Sequence, residues 1–195
     1  ERDDIRVDGR PLHAHGPSVY VAVHKPRGVI SDEGDKVARR RTVFDLVSIP
    51  GHLFPVGRLD LNSEGLMLLT DDGELAHRLT HPRYEHPKEY HVLVEGEPPE
   101  EALEAWRRGV FLDGQKTAPA QVSILRRATG QTWLRVTLRE GRKRQIRRVA
   151  ALLGWSVHRL LRVGIGPIRL GDLKPGEWRH LTGAERRALR ELQED

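Results

Sequence analysis

Gly57-Arg58-Leu59-Asp60-Leu61-Asn62-Ser63-Glu64-Gly65 runs directly into Leu66-Met67-Leu68-Leu69-Thr70. Two glycines bracket a short polar turn, and the unbroken apolar run that follows predicts a buried strand. Asp60 sits in the turn between two leucines, with Arg58 two residues upstream. Two readings compete. In one, Asp60 is a local turn residue paired with Arg58. In the other, the turn holds a carboxylate rigidly at the edge of a core strand and presents it to a cleft, where catalytic side chains concentrate.

On either side of this stretch, strands outnumber helices. Leu53-Phe54-Pro55-Val56 leads into the turn as a strand, and Val19 to His24 is a β-branched strand that ends at Lys25-Pro26-Arg27-Gly28. Tyr90 to Val94, Val122 to Leu125 and Trp133 to Leu138 are further strands. Helices are predicted over 74–80, 98–108 and 142–153, and after Thr182, which caps a final helix with Glu185 in capping-box position. Residues 4–12 read as two short strands around Asp8-Gly9, and 31–41 as a charged, mobile loop. Strands that mostly follow one another imply a mixed, largely antiparallel sheet and an α+β fold.

The chain has 195 residues, a formal net charge of +5, 37% hydrophobic and 31% charged residues, which describes an ordinary globular protein with a bias toward polyanionic partners. Arginine far outnumbers lysine, and its planar fork suits phosphate and base stacking. With no cysteine, disulfides, thiolate metal sites and thiol nucleophiles are excluded, and a reducing, cytoplasmic setting is expected. No apolar stretch approaches transmembrane length. His77 and His81 stand four apart but lack an acidic third ligand, so no metal is expected. No phosphate-cradling glycine loop and no Gly-x-Ser-x-Gly elbow occurs.

The basic segment Arg142-Lys143-Arg144-Gln145-Ile146-Arg147-Arg148 opens the third helix. Ile146, Val149, Ala150 and Leu153 make its apolar face; Arg147 flanks that face and Arg148 lies opposite. A partly buried Arg147 needs a carboxylate partner. Three cations at a helix start oppose the dipole and call for a compensating negative group.

Taken in order, Lys25-Pro26-Arg27-Gly28, Gly57-Arg58-Leu59-Asp60 to Gly65-Leu66, Lys88-Glu89-Tyr90 and Glu140-Gly141-Arg142-Lys143-Arg144-Gln145-Ile146-Arg147-Arg148 resemble the motifs of pseudouridine synthases, in particular the RsuA/RluB/RluE/RluF group. Asp71 to Leu79 and the tail Gly166-Pro167-Ile168 with Leu173-Lys174-Pro175-Gly176 also match, so the resemblance covers residue 18 to the end. It implies a catalytic domain over 18–195 with a central RNA-binding cleft, and a linker with the remnant of an S4-like RNA-binding domain over 1–17. The implied activity is conversion of a uridine in ribosomal RNA to pseudouridine without cofactor or metal, by a monomer. The Lys25–Gly28 motif and the helix around Arg147 lean toward the large-subunit (23S) enzymes; the same reaction on 16S RNA is the alternative. Asp60 matches the essential aspartate, Tyr90 the tyrosine placed against the base, and Arg147 the basic partner of the aspartate. Arg58, Lys25, Arg27, Arg142 and Arg144 are the expected RNA contacts. A catalytically silent RNA-binding or ribosome-assembly factor on the same fold is the competing class.

Overall fold

The computed structural model describes residues 6–7, 10–11, 18–32 and 40–194. A two-residue hairpin pairs β1 (Arg6–Val7) with β2 (Arg10–Pro11) in antiparallel register. The predicted turn residues between them, most of the linker, and most of the charged 31–41 loop lie outside the described residues. The main chain then supplies β3 (Tyr20–Lys25), β4 (Phe54–Val56), β5 (Glu64–Thr70), α1 (Gly73–Thr80) and β6 (Lys88–Glu95). After α2 (Glu100–Arg108) come the small hairpin β7 (Phe111–Leu112) and β8 (Gln115–Lys116), then β9 (Gln121–Ala128) and β10 (Gln131–Leu138). The last third holds α3 (Gln145–Leu152), β11 (Val157–Ile165), β12 (Ile168–Arg169), β13 (Trp178–His180) and α4 (Gly183–Glu194).

Among the described residues, nine strands form one mixed sheet in the order β13-β3-β5-β11-β6-β10-β9, with β4 beside β5 and β12 beside β11. All its pairings are antiparallel except β5 with β11, which run parallel through Leu161↔Glu64 and Arg162↔Gly65. That parallel contact joins two antiparallel halves. β5 is buried along its whole length, as its apolar run predicts for a strand covered on both faces.

The helices cover the sheet by their apolar faces. Leu75, Ala76 and Leu79 of α1 pack with Leu189 of α4 against Leu66 and Leu68. Leu103 and Trp106 of α2, with Ile146, Val149 and Ala150 of α3, cover Val92, Val94, Leu134 and Val136. A third cluster, on the face opposite α1, joins Val21, Val23, Met67 and Leu69 to Val43 and Leu46 of a 3-10 turn. The alternation along β3, with Ala22 on one side and Val21 and Val23 on the other, is the period of two expected of a strand. No helix among the described residues is long and apolar enough to cross a membrane.

The cap of α4 has the reciprocal geometry expected from its sequence. The Thr182 amide donates to Glu185 Oε2 at 2.9 Å, and the Glu185 amide to Thr182 Oγ1 at 3.2 Å. Arg179 adds a two-pronged contact, Nη1 and Nη2 each 2.7 Å from Glu185. These hydrogen bonds, Arg179 first, outweigh burial and lower the Glu185 carboxyl from its ordinary 4.5 to about 2. A folded pKa below the unfolded one gives stability that is present above pH 4.5 and lost as pH falls toward about 2. Thermal unfolding midpoints should drop across that window in the wild type, and Glu185→Gln should flatten the drop while lowering the midpoint at neutral pH.

Candidate active site

An open cleft of about 970 Å³ lies over the end of the parallel β5–β11 contact. Its walls come from the β4–β5 connection, the start of β6, and the segment between β10 and α3. Asp60 lines it from the connection with its side chain about one-third exposed (32%), and Tyr90 lines it from β6. Tyr90 is half-buried and packs against two of the three hydrophobic clusters, which fixes its ring between the halves of the sheet.

The turn that carries Asp60 is held at every peptide. Arg162 Nη1 donates to the Arg58 carbonyl at 3.4 Å, Ser31 Oγ to the Leu59 carbonyl at 2.6 Å, and the Ser63 amide to the Asp60 carbonyl at 2.9 Å. The Gly28 amide donates to the Leu61 carbonyl at 2.8 Å, and Arg147 Nη2 to the Asn62 carbonyl at 3.0 Å. Ser31 Oγ also accepts from the Leu59 amide at 2.9 Å. Five consecutive carbonyls therefore have donors, four of them from distant segments. The Asp60 side chain contributes none of this and is left to face the cleft.

The ion pair of Asp60 differs from expectation. Its Oδ2 lies 3.7 Å from Nη1 of Arg144, whereas Arg147 spends its guanidinium on two carbonyls, Asn62 at 3.0 Å and Val157 at 3.0 Å. The helical position of Arg147 is as predicted, but its acceptors are backbone, so it braces the turn rather than pairing with the carboxylate. Burial, then the neighbouring cations Arg144 and Arg27, lowers the Arg147 pKa, and Asp60 opposes that shift. Arg144 reaches Asp60 because it caps α3 in the left-handed region, with φ 52° and ψ 32°. That conformation is costly for a side chain with a Cβ and is typical of residues held in place at functional sites. The helix consequently starts at Gln145, three residues later than the sequence pattern suggests.

Two of the expected RNA contacts are structural. Lys25 is fully buried, and its Nζ donates to the Pro26 carbonyl at 3.1 Å and the Val29 carbonyl at 2.8 Å. Arg142 clamps the β7–β8 hairpin through the carbonyls of Gln115 (3.1 Å) and Lys116 (2.6 Å) and pairs with Glu140 at 3.2 Å. Glu140 also accepts from Gln145 at 2.6 Å and from the Ala118 amide at 2.9 Å, which supplies the negative group the basic segment called for. Arg148 pairs with Asp113 instead of standing free. Arg27 is exposed. Arg58 is 74% exposed on the cleft wall, and its Nη1 contacts Asp32 at 2.6 Å.

Sequence reasoning missed Ser31, Lys88 and Arg162, all of which line the cleft. Arg162 is 2% exposed and sits inside the otherwise apolar run Leu160–Val163. An arginine in the middle of a core strand was the available signal.

The geometry is that of a carboxylate set against a tyrosine in a cation-rich cleft, and comparison with known proteins gives it a family. The model of the RNA pseudouridylate synthase family matches residues 19–152, and the chain belongs to that family. It is 42% identical over 176 residues to ribosomal large subunit pseudouridine synthase E of Xanthomonas campestris, spanning 83% of this chain and 94% of that protein. Ribosomal large subunit pseudouridine synthase B of Bacillus subtilis is 40% identical over 192 residues, 97% of this chain and 78% of its own. A crystal structure of a pseudouridylate synthase superposes with a TM-score of 0.81 at 34% identity, covering 92% of this chain and 76% of that one.

Proposed function

We propose that this chain converts a uridine of ribosomal RNA, in the large subunit, to pseudouridine, with Asp60 as the group that promotes cleavage of the glycosidic bond. The observation that carries the reading is the Asp60 carboxylate itself: it faces the cleft from a turn whose five carbonyls, Arg58 to Asn62, are all engaged, with Tyr90 lining the same space. The two large-subunit relatives support the choice of RNA.

The target uridine leaves its stack to enter the cleft, at a cost of a few kcal/mol that is least in a loop. Asp60 acts at C1′ as the C1′–N1 bond breaks. Tyr90 holds the detached base by stacking, so that it turns in place and rejoins C1′ through C5. Arg144 lies 3.7 Å from the carboxylate and orients it, and Arg147 holds the Asn62 carbonyl of the turn that positions it. Arg58 and Arg27, both exposed, take phosphates. Residues 1–17 are a linker and the remnant of an S4-like RNA-binding domain, and the enzyme works as a cytoplasmic monomer.

Release of tritium from large-subunit RNA labelled at uridine C5 tests the activity, and mapping pseudouridines with and without the gene identifies the position. No release from any ribosomal fragment would overturn the reading. The two arginines should separate by effect. Arg147→Met removes two charge-assisted contacts to backbone and should cost about 2–3 kcal/mol of stability. Arg144, half-exposed, should cost less than about 0.5 kcal/mol when changed to Met and yet lower turnover about 10–100-fold. Urea unfolding and tritium release on the same preparations check both.

A further inference from the structure

Register aligns one row of residues across four strands. Lys25 of β3 stands opposite Gly65 of β5, Gly65 opposite Arg162 of β11, and Arg162 opposite Tyr90 of β6. Laterally paired residues share a face, so Lys25, Arg162 and Tyr90 stand in line, with a glycine gap between the two cations. Lys88, two residues before Tyr90 on β6, falls on the same face and lines the cleft with Arg162.

These three cations are buried or half-buried without a carboxylate. Lys25 takes the carbonyls of Pro26 and Val29, Lys88 that of His86 at 3.2 Å, and Arg162 those of Leu66 (2.8 Å) and Arg58 (3.4 Å). Arg162 Nη2 is buried with no acceptor. Among the described residues, no acid lies within ion-pair distance of any of them. The nearby buried acid, Glu64, is taken up by both nitrogen prongs of Arg159. Carbonyl dipoles solvate a cation but leave its net charge in place, and an uncompensated buried charge is costly. Such a cluster is suited to a negative charge that arrives or develops beside it, because preformed cations need no reorganisation at that moment.

We propose that Lys25, Lys88 and Arg162 form a fixed positive floor beneath Asp60 and Tyr90 that stabilises the negative charge of the uracil while it is detached from the ribose. The inference rests on the proposed isomerisation at Asp60. When C1′–N1 breaks, the bonding pair stays on N1 and the charge spreads to O2 and O4. After the base turns, C5 supplies the pair for the new bond to C1′, C5 loses its proton, and N1 gains one. The floor is needed in the interval between the two bonds.

The electrostatics fit. Burial, then repulsion by Arg162, lowers Lys25 to about 8, against the opposing pull of Asp60 and Glu64. Burial, then Arg162, likewise lowers Lys88, which also faces His86. Above about pH 8 the floor therefore loses charge as Lys25 deprotonates, and turnover should decline there.

The experiment uses the full chain, C5-tritiated RNA, and separate measurement of kcat and RNA affinity. Lys88→Met should lower kcat about 100-fold with RNA affinity within threefold of wild type, and Lys88→Arg should restore most of the rate. Arg162→Gln should move the alkaline limb of kcat to higher pH, because the cation that depresses Lys25 is gone. If Arg162→Gln does not fold, the Lys88 pair decides the matter. Lost RNA affinity with unchanged kcat in Lys88→Met would assign the lysine to a backbone phosphate and overturn the floor. Equal loss in Lys88→Arg, or a flat kcat through pH 8, would overturn it too. Turnover by Asp60→Asn equal to wild type would instead refute the site reading itself.

Discussion

Asp60→Asn should leave a folded, RNA-binding protein whose tritium release falls by at least about four orders of magnitude, the scale on which loss of a reacting group registers. The substitution is close to isosteric, and the side chain makes little structural contribution. Its one ion pair among the described residues, to Arg144 at 3.7 Å, is on a half-exposed partner, and the backbone of residue 60 is held through its carbonyl by the Ser63 amide. Unfolding free energy should therefore stay within about 0.5 kcal/mol of wild type. RNA affinity should hold or rise slightly at low salt, since a negative charge leaves a surface that meets phosphates. Residual turnover within tenfold of wild type would mean that the carboxylate does not act at C1′.

Gly65→Ala should be strongly disruptive. Gly65 has φ 112°, a conformation that L side chains rarely adopt. A Cβ built there lies 2.3 Å from the Arg162 carbonyl oxygen and 2.6 Å from its nitrogen, both main-chain atoms of the neighbouring strand. No rotamer relieves that clash. β5 and β11 would have to part at Leu161↔Glu64 and Arg162↔Gly65, the pairing that joins the two halves of the sheet. A cost above about 4 kcal/mol is expected, enough to remove much of the stability of a domain this size. Gly57→Ala is the control. Its φ is also positive, at 72°, but the nearest atom to the added Cβ is Thr80 Cγ2 at 3.7 Å, so about 1 kcal/mol is expected. Urea unfolding of the two variants should rank them in that order, and similar midpoints would contradict the steric account.

The apolar run after Asp60 announced β5, and the Thr182–Glu185 spacing announced the cap of α4, because both depend on neighbours a few residues away. The motif order announced the cleft and the Asp60–Tyr90 pair. What stayed hidden depends on distant chain. Helical periodicity placed Arg147 on the flank of α3, yet its acceptors belong to Asn62 and Val157, whose positions no local pattern encodes. The start of α3 was misplaced because left-handed geometry at Arg144 delays the helix to Gln145, and arginine carries no signal for it. Lys25 looked like a surface cation by residue type, but its register on β3 places it in the interior. The β7–β8 hairpin, four residues in two pairs, lacks the length for a periodic signal.

The turn from Arg58 to Asn62 is tied to Gly28, Ser31, Arg147 and Arg162, segments spread over more than a hundred residues of chain. No small part of the protein can loosen it alone. The amides that donate within this network should exchange with solvent deuterium only through the global unfolding reaction, unlike those of ordinary surface connections, which open locally. The slowest-exchanging class should thus include Leu59, whose amide is held by buried Ser31, together with Gly28. Parting the two halves of the sheet at the β5–β11 contact would also take Arg162 away from the Arg58 carbonyl, so the shape of this turn depends on both halves being joined.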